Sequence, residues 1–292
     1  MTEEVNLGSQ NQNNENNPLE PRVNSRNQEL AKEQGVPEEF IDTEFIVPTD
    51  IVDLPSKGLF YANGKKDVEV RYLTAEDENI LTSGDLIKSG KVLDVLLQNS
   101  ILDKDISPSE MLTGDRNAVL IALRITGYGD EYETKTTCPS CSEVNIDNIL
   151  LSTLETKQIP FSPDSDGLFS VQLPKCKANI KFRLLKGSDE DRLQKVAETG
   201  KKKMGANVKV QTVLTERYLL QIMDVNGNTD KTYIKKFIYV MPIADSFFFR
   251  EYIKGVEPGI DLNNDFECKN CGKNYEQDIP ITAKLFWPNA NV

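Results

Sequence analysis

The chain of 292 residues contains no histidine. That absence excludes Ser-His-Asp and Cys-His triads, zinc-protease motifs and every His-ligated metal or haem site. Long apolar runs are missing too. The stretch from Ala118 to Leu123 is bounded by Asn117 and Arg124, whereas a bilayer-spanning helix takes roughly 20 apolar residues. The opening MTEEVNLGSQ has neither the basic nor the apolar region of a secretory signal, so a soluble intracellular protein is expected. Positive charge is in deficit, with 34 Lys and Arg against 46 Asp and Glu, net −12. Binding to nucleic acid or to an anionic membrane calls for the opposite balance, and neither is expected as a partner.

What is present suffices for a core: 38% of residues are hydrophobic and 27% charged. The length fits one large or two ordinary domains. Residues 1–43 are expected to be a disordered, acidic, Asn-rich arm. Residues 1–44 hold ten acids and three bases, net −7, with too little apolar surface to offset the entropy of ordering. The arm is either a solvated tail or a partner-binding segment.

An α+β fold is expected beyond it. Residues 44–130 read as a strand followed by a helical unit. Val68, Val70 and Tyr72 alternate with charged residues as in a half-buried strand. Thr74 with Asp77 forms a capping box that opens one helix. Apolar spacing from Asp85 to Leu97 predicts a second helix, and Ser109 to Ile125 a third that ends at Gly127 and Gly129. Residues 131–155 and 260–292 read as the two halves of a β module, with 156–259 inserted between them. Within the insertion, strands are expected at Phe169–Leu173 and Ile180–Leu185. A helix is expected from Ser188 to about Lys203, with acids at its start and lysines at its end to suit its dipole. Three more are expected: one from Val210 through Ile222 towards Gly227, then Lys231–Met241 and Ala244–Lys254. No internal repeat is evident beyond the recurrence of a CxxC hairpin.

Five cysteines are present, and four form the pairs Cys138-Pro-Ser-Cys141 and Cys268-Lys-Asn-Cys271. Two residues between cysteines let both thiolates of a tight turn face one cation. Two such knuckles supply a tetrahedron of sulfurs, the geometry of one structural Zn2+. The pattern is zinc-ribbon-like, but 126 residues separate Cys141 from Cys268, where compact ribbons have on the order of 15–20. The β element would therefore be split by a large insertion, as close domain termini permit. Two unrelated knuckles, or a redox-active CxxC pair, are the alternatives. Cys176 stands alone.

Other signals carry less. Asp224 to Asp230 resembles a calcium loop in composition but lacks Gly at position six and Glu at twelve. Gly200-Lys201 has no earlier glycine to make a P-loop. Asp189, Glu190 and Asp191 read as the first turn of a helix. Phe247, Phe248 and Phe249 cannot all face one side of a helix. Phe248 is taken as the candidate for partner contact, with core packing as the alternative. No catalytic constellation emerges, and the protein is expected not to be an enzyme.

The segments DLPSKGLFY (53–61), LTAEDENILTS (73–83), GDRNAVLIALRITGYGDEYE (114–133), CPSC (138–141) and FRLLKGSDE (182–190) together resemble a baseplate protein family of T-even-like contractile-tailed bacteriophages, whose members are linked to assembly of the central baseplate hub. Residues 45–192 carry the resemblance, along with the late CxxC. It implies a non-enzymatic assembly protein whose partners are hub or tape-measure proteins, working in the host cytoplasm or retained in the virion baseplate. Val119, Leu120 and Leu123 should then turn inward, while Asp115 and Arg116 are candidates for an exposed partner face, unless they cap and pair locally. A permanent baseplate component, or a zinc-ribbon binder of nucleic acid or transcription machinery, are the other functions in view.

Overall fold

The computed structural model describes residues 47–61, 63–157, 159–160, 162–202 and 213–287. The expected arm at 1–43, Lys203 and Val210 lie outside the described residues. Met1–Thr49 and Asp50–Val292 are separate units. The described helices and strands belong to the second unit, the first strand beginning at Thr49 on the boundary.

Eight α-helices and several small antiparallel sheets make an α+β fold among the described residues. Strands β1 (Thr49–Asp53) and β2 (Asp67–Arg71) pair, and three helices follow: α1 (Ala75–Thr82), α2 (Gly84–Ser89) and α3 (Val92–Ser100). The expected capping box is present, with the Asp77 carboxylate accepting from the Thr74 N–H at 2.8 Å. The single helix expected from Asp85 is instead two, because Gly90 adopts φ 69° and ends α2. The third expected helix starts late, at Thr113, and runs to Tyr128 as α4. It buries Val119, Leu120 and Leu123 as expected, each such side chain contributing about 1.5–3 kcal/mol on full burial.

Hairpin β3 (Glu131–Thr137) and β4 (Val144–Leu150) is paired in register, Thr137 against Val144 across the Cys138–Cys141 turn. Next comes a three-stranded sheet of β5 (Phe169–Gln172), β6 (Asn179–Phe182) and β7 (Ile222–Val225), in that order. Between β6 and β7 run α5 (Gly187–Lys202) and α6 (Val213–Gln221). Ile222, expected in a helix, begins β7 and pairs with Phe182; its apolar neighbours are also compatible with a helix, and the sheet edge decides. Helices α7 (Lys231–Val240) and α8 (Ile243–Val256) follow, then the second hairpin, β8 (Asn263–Glu267) and β9 (Asn274–Asp278).

Two apolar clusters dominate. The first joins Leu54, Val68, Leu96, Leu123 and Leu151 to Ile279, Leu285 and Phe286 near the other end of the chain. The second is aromatic, with Phe182 stacked on Phe169 at 5.6 Å and edge-on to Phe249 at 5.1 Å. Arg124 lies in the first, almost wholly buried. Its guanidinium donates to the carbonyls of Leu285 (2.7 Å), Glu131 (2.8 Å) and Gly129. A buried cation without such acceptors would be strongly destabilising.

The structure also holds a recurrence that apolar spacing did not suggest. Arg71 grips Asp77 through two bonds of 2.6 and 2.9 Å, and Arg183 grips Asp189 at 2.6 and 2.8 Å. Each arginine ends or follows a strand, and each aspartate lies in the first turn of the next helix. Each carboxylate also accepts a backbone N–H three residues earlier, from Thr74 and Lys186. Burial would raise both carboxyls, but the facing guanidinium and N–H outweigh it and hold them below the usual carboxylate range. The shared pattern is R-x-L-x-x-x-D-E, at 71–78 and 183–190.

Candidate metal centre

Each knuckle is built by its hairpin. At the first turn the Cys138 N–H donates to Glu143 O at 2.9 Å and the Ser142 N–H to Cys138 O at 2.9 Å. At the second, the Cys268 N–H donates to Lys273 O at 2.9 Å and the Gly272 N–H to Cys268 O at 2.8 Å. Ser142 and Gly272 both sit at positive φ, 61° and 66°, the bend that returns the chain after each second cysteine to the backbone of the first.

The two turns meet. All four sulfurs lie within 4.8 Å of one another. Cys138 Sγ is 3.8 Å from Cys271 Sγ, and Cys141 Sγ is 3.5 Å from Cys268 Sγ. A tetrahedron of thiolates about 2.3 Å from one ion has edges of about 3.8 Å. The donor set therefore fits a single cation, and it is closed, with all four ligand positions supplied by protein. Cys138 and Cys268 are buried, while Cys141 and Cys271 face outward. The Ser140 N–H points at Cys138 Sγ at 3.4 Å, and the Asn270 side chain at Cys141 Sγ at 3.8 Å.

Proton affinities diverge within the cluster. The Cys271 N–H, aided by the Asn270 N–H against burial, lowers the Cys268 thiol to about 6. The Lys273 N–H also lowers Cys271, but the thiols of Cys141, Cys268 and Cys138 together with burial push it up to about 12. Four thiolates this close would repel one another. A divalent cation among them removes that conflict.

Behind the sulfurs a small polar network locks the hairpins together. Tyr275 OH is 2.6 Å from Thr136 Oγ1 and accepts from Asn145 Nδ2 at 3.2 Å, while Asn145 Oδ1 accepts from the Lys269 N–H at 2.9 Å. Lys269 Nζ reaches the Ile146 carbonyl and lies 2.9 Å from Asp147. None of these residues was singled out from sequence. Asn145 and Tyr275 each stand four residues beyond the second cysteine of their pair, a correspondence that superposing the two motifs reveals.

Lone Cys176 lies apart and exposed. Asp115 and Arg116 are not on an exposed face, a correction to that expectation. The segment 54–61 folds over the start of α4, so the Asp115 carboxylate accepts from the Ser56 N–H (2.9 Å) and Tyr61 OH (2.6 Å). Burial pushes the Asp115 carboxyl up against the lowering effect of those bonds. Arg116 is buried between Asp94 and the Pro108 carbonyl. Phe248 is half-buried against the second cluster, Phe249 is fully buried and Phe247 is exposed.

Among the described residues, no helix is long and apolar enough to cross a membrane. The family described as T4 bacteriophage base plate protein matches residues 53–287. Searches of curated proteins and of solved structures return no match.

Proposed function

Because the chain belongs to the T4 bacteriophage base plate protein family, we propose that it is a non-enzymatic baseplate hub assembly protein that acts through protein contacts and carries one structural zinc ion on Cys138, Cys141, Cys268 and Cys271. The convergence of two distant CxxC turns on one four-sulfur cage carries the zinc reading. An all-thiolate, four-coordinate cage suits zinc, and with no open position it serves structure rather than catalysis. In this reading 131–155 and 260–292 form one ribbon-like module, 156–259 is inserted into it, and 44–130 supplies the helical unit. The partners are hub or tape-measure proteins, met in the host cytoplasm.

Metal analysis of the purified chain should find one zinc, lost in both Cys141→Ser and Cys268→Ser. Zinc retained in either variant sinks the shared site. Affinity capture of the tagged protein from infected cells should recover hub or tape-measure proteins in fixed ratio. Polymerase subunits or nucleic acid in their place would overturn the assembly reading. The family description itself favours a second reading, a permanent structural component of the virion baseplate. Stoichiometric protein in purified mature particles would select it.

A further inference from the structure

Thirteen large hydrophobic side chains are exposed among the described residues, and eight of them fall on two surfaces. One is the corner between α7 and α8, where Tyr239, Val240, Ile243 and Phe247 are 57–88% exposed and Tyr233 stands earlier on α7. The other is the outer face of β4, where Val144, Ile146 and Leu150 are 46–57% exposed. Apolar concentrations of this kind mark interaction sites on soluble proteins.

Their surroundings carry opposite charge. Helix α7 has three exposed lysines, Lys231, Lys235 and Lys236, and no acid. The hairpin face has Glu131 directly across from Leu150, Glu133 across from Asn148, and Glu143 beside Val144 in the turn, against Lys135 and a Lys269 ammonium that is paired with Asp147. Two α7–α8 corners brought together would set lysine against lysine. Corner against hairpin sets apolar surface on apolar surface and lysines beside glutamates. Such complementarity fixes register and steers encounter.

We propose that the α7–α8 corner docks on the outer face of the β3–β4 hairpin of a second copy of this chain. The contact is heterologous, because each chain uses one face to grasp and presents the other. Contacts of this type build a ring where the rotation closes and a filament where it does not. The inference goes beyond hub assembly and rests on surfaces outside the sulfur cage.

Sedimentation velocity on the full chain tests it, at concentrations rising from low micromolar to several hundred micromolar. The expected result is a mass that at least doubles across the range, with association weakening as salt rises. The paired variant Ile243→Asp with Phe247→Asp should sediment as one chain throughout, and so should Val144→Asp with Ile146→Asp. Mixed in equal amounts, the two should form a dimer that grows no further, since each retains one intact face. Zinc content and near-ultraviolet circular dichroism confirm that the variants are folded. Should either fail to fold, Lys235→Glu with Lys236→Glu tests the charge pairing instead and should weaken association at low salt; unchanged association in that variant overturns the proposal. A wild-type chain that stays monomeric at every concentration overturns the proposal, as does a mixture of folded variants that forms no dimer.

Discussion

In both cysteine knuckles the same two backbone bonds close the turn and the first cysteine is buried, yet the residues behind them differ in kind. The first hairpin turns Thr136 and Asn145 inward; the second turns Phe266 and Tyr275 inward at the equivalent positions. One side is polar and the other aromatic, and the Tyr275 hydroxyl joins the two inward faces. Two identical polar faces would leave buried donors competing for acceptors. Two identical aromatic faces would give the turns nothing to orient them. The difference lets two distant hairpins recognise each other in one register, with the sulfurs brought together as a result.

The comparison can be broken most severely at the sulfurs. With the proposed zinc ion in place, Cys138→Ser and Cys268→Ser should be equivalent, each abolishing metal binding worth on the order of 10 kcal/mol. Chelator should reproduce both in a thermal melt. Protection of β3–β4 and β8–β9 from hydrogen exchange should be lost, while β5–β7 stays protected. A Cys138→Ser variant that held metal while Cys268→Ser lost it would show the knuckles to be unequal.

The Arg–Asp clamps extend the comparison to the two cores. Asp77→Asn and Asp189→Asn each leave a guanidinium without its carboxylate, a loss smaller than the about 3–5 kcal/mol of a fully buried pair because both arginines keep some exposure. The Asp77 clamp is the more buried, with side-chain exposures of 19% and 1% against 28% and 11% for the other, so its loss should cost more in urea unfolding. Because both carboxyls are held below their usual range, the clamps contribute fully above the unfolded-state pKa of about 4 and lose that contribution as pH falls through the folded values. The difference between each variant and wild type should therefore shrink on acidification.

Tyr275→Phe should come next. It keeps the ring and strands Thr136 Oγ1, on a buried residue, while Asn145 Nδ2 is left with its 3.5 Å bond to the Glu143 carbonyl, at about 1–3 kcal/mol in chemical denaturation. Smallest is the exchange at the bends. Gly272→Ser should cost about 1 kcal/mol, since φ of 66° suits glycine and nothing else crowds the position. Ser142→Gly should recover less, because glycine also loosens the unfolded chain. Equal and opposite shifts in melting temperature would mean that unfolded-state entropy is irrelevant here.

Much of the fold was legible from apolar spacing. The capping box at Thr74, the inward faces of α4 and both hairpins follow from local pattern. The four-sulfur cage was legible because cysteine spacing encodes ligand geometry even across 126 residues. What failed depended on partners remote in sequence. Ile222 is a strand residue because β6 lies beside it. Asp115 looks like an ordinary solvated first-turn acid until segment 54–61 covers it. Tyr275 and Asn145 gain meaning only when the hairpins meet.

Arg124 has a consequence for the order in which a nascent chain can mature. One of its three carbonyl acceptors belongs to Leu285, 161 residues downstream, and Leu285 and Phe286 also seal the first core. Until Leu285 has emerged from the ribosome, that guanidinium has no complete set of acceptors and the core around it stays open. The aromatic cluster, drawn from residues 112–256, is fully synthesised earlier. Emergence of Leu285 and Phe286 thus gates completion of the first core, and a chain truncated before Leu285 would lack its closing piece.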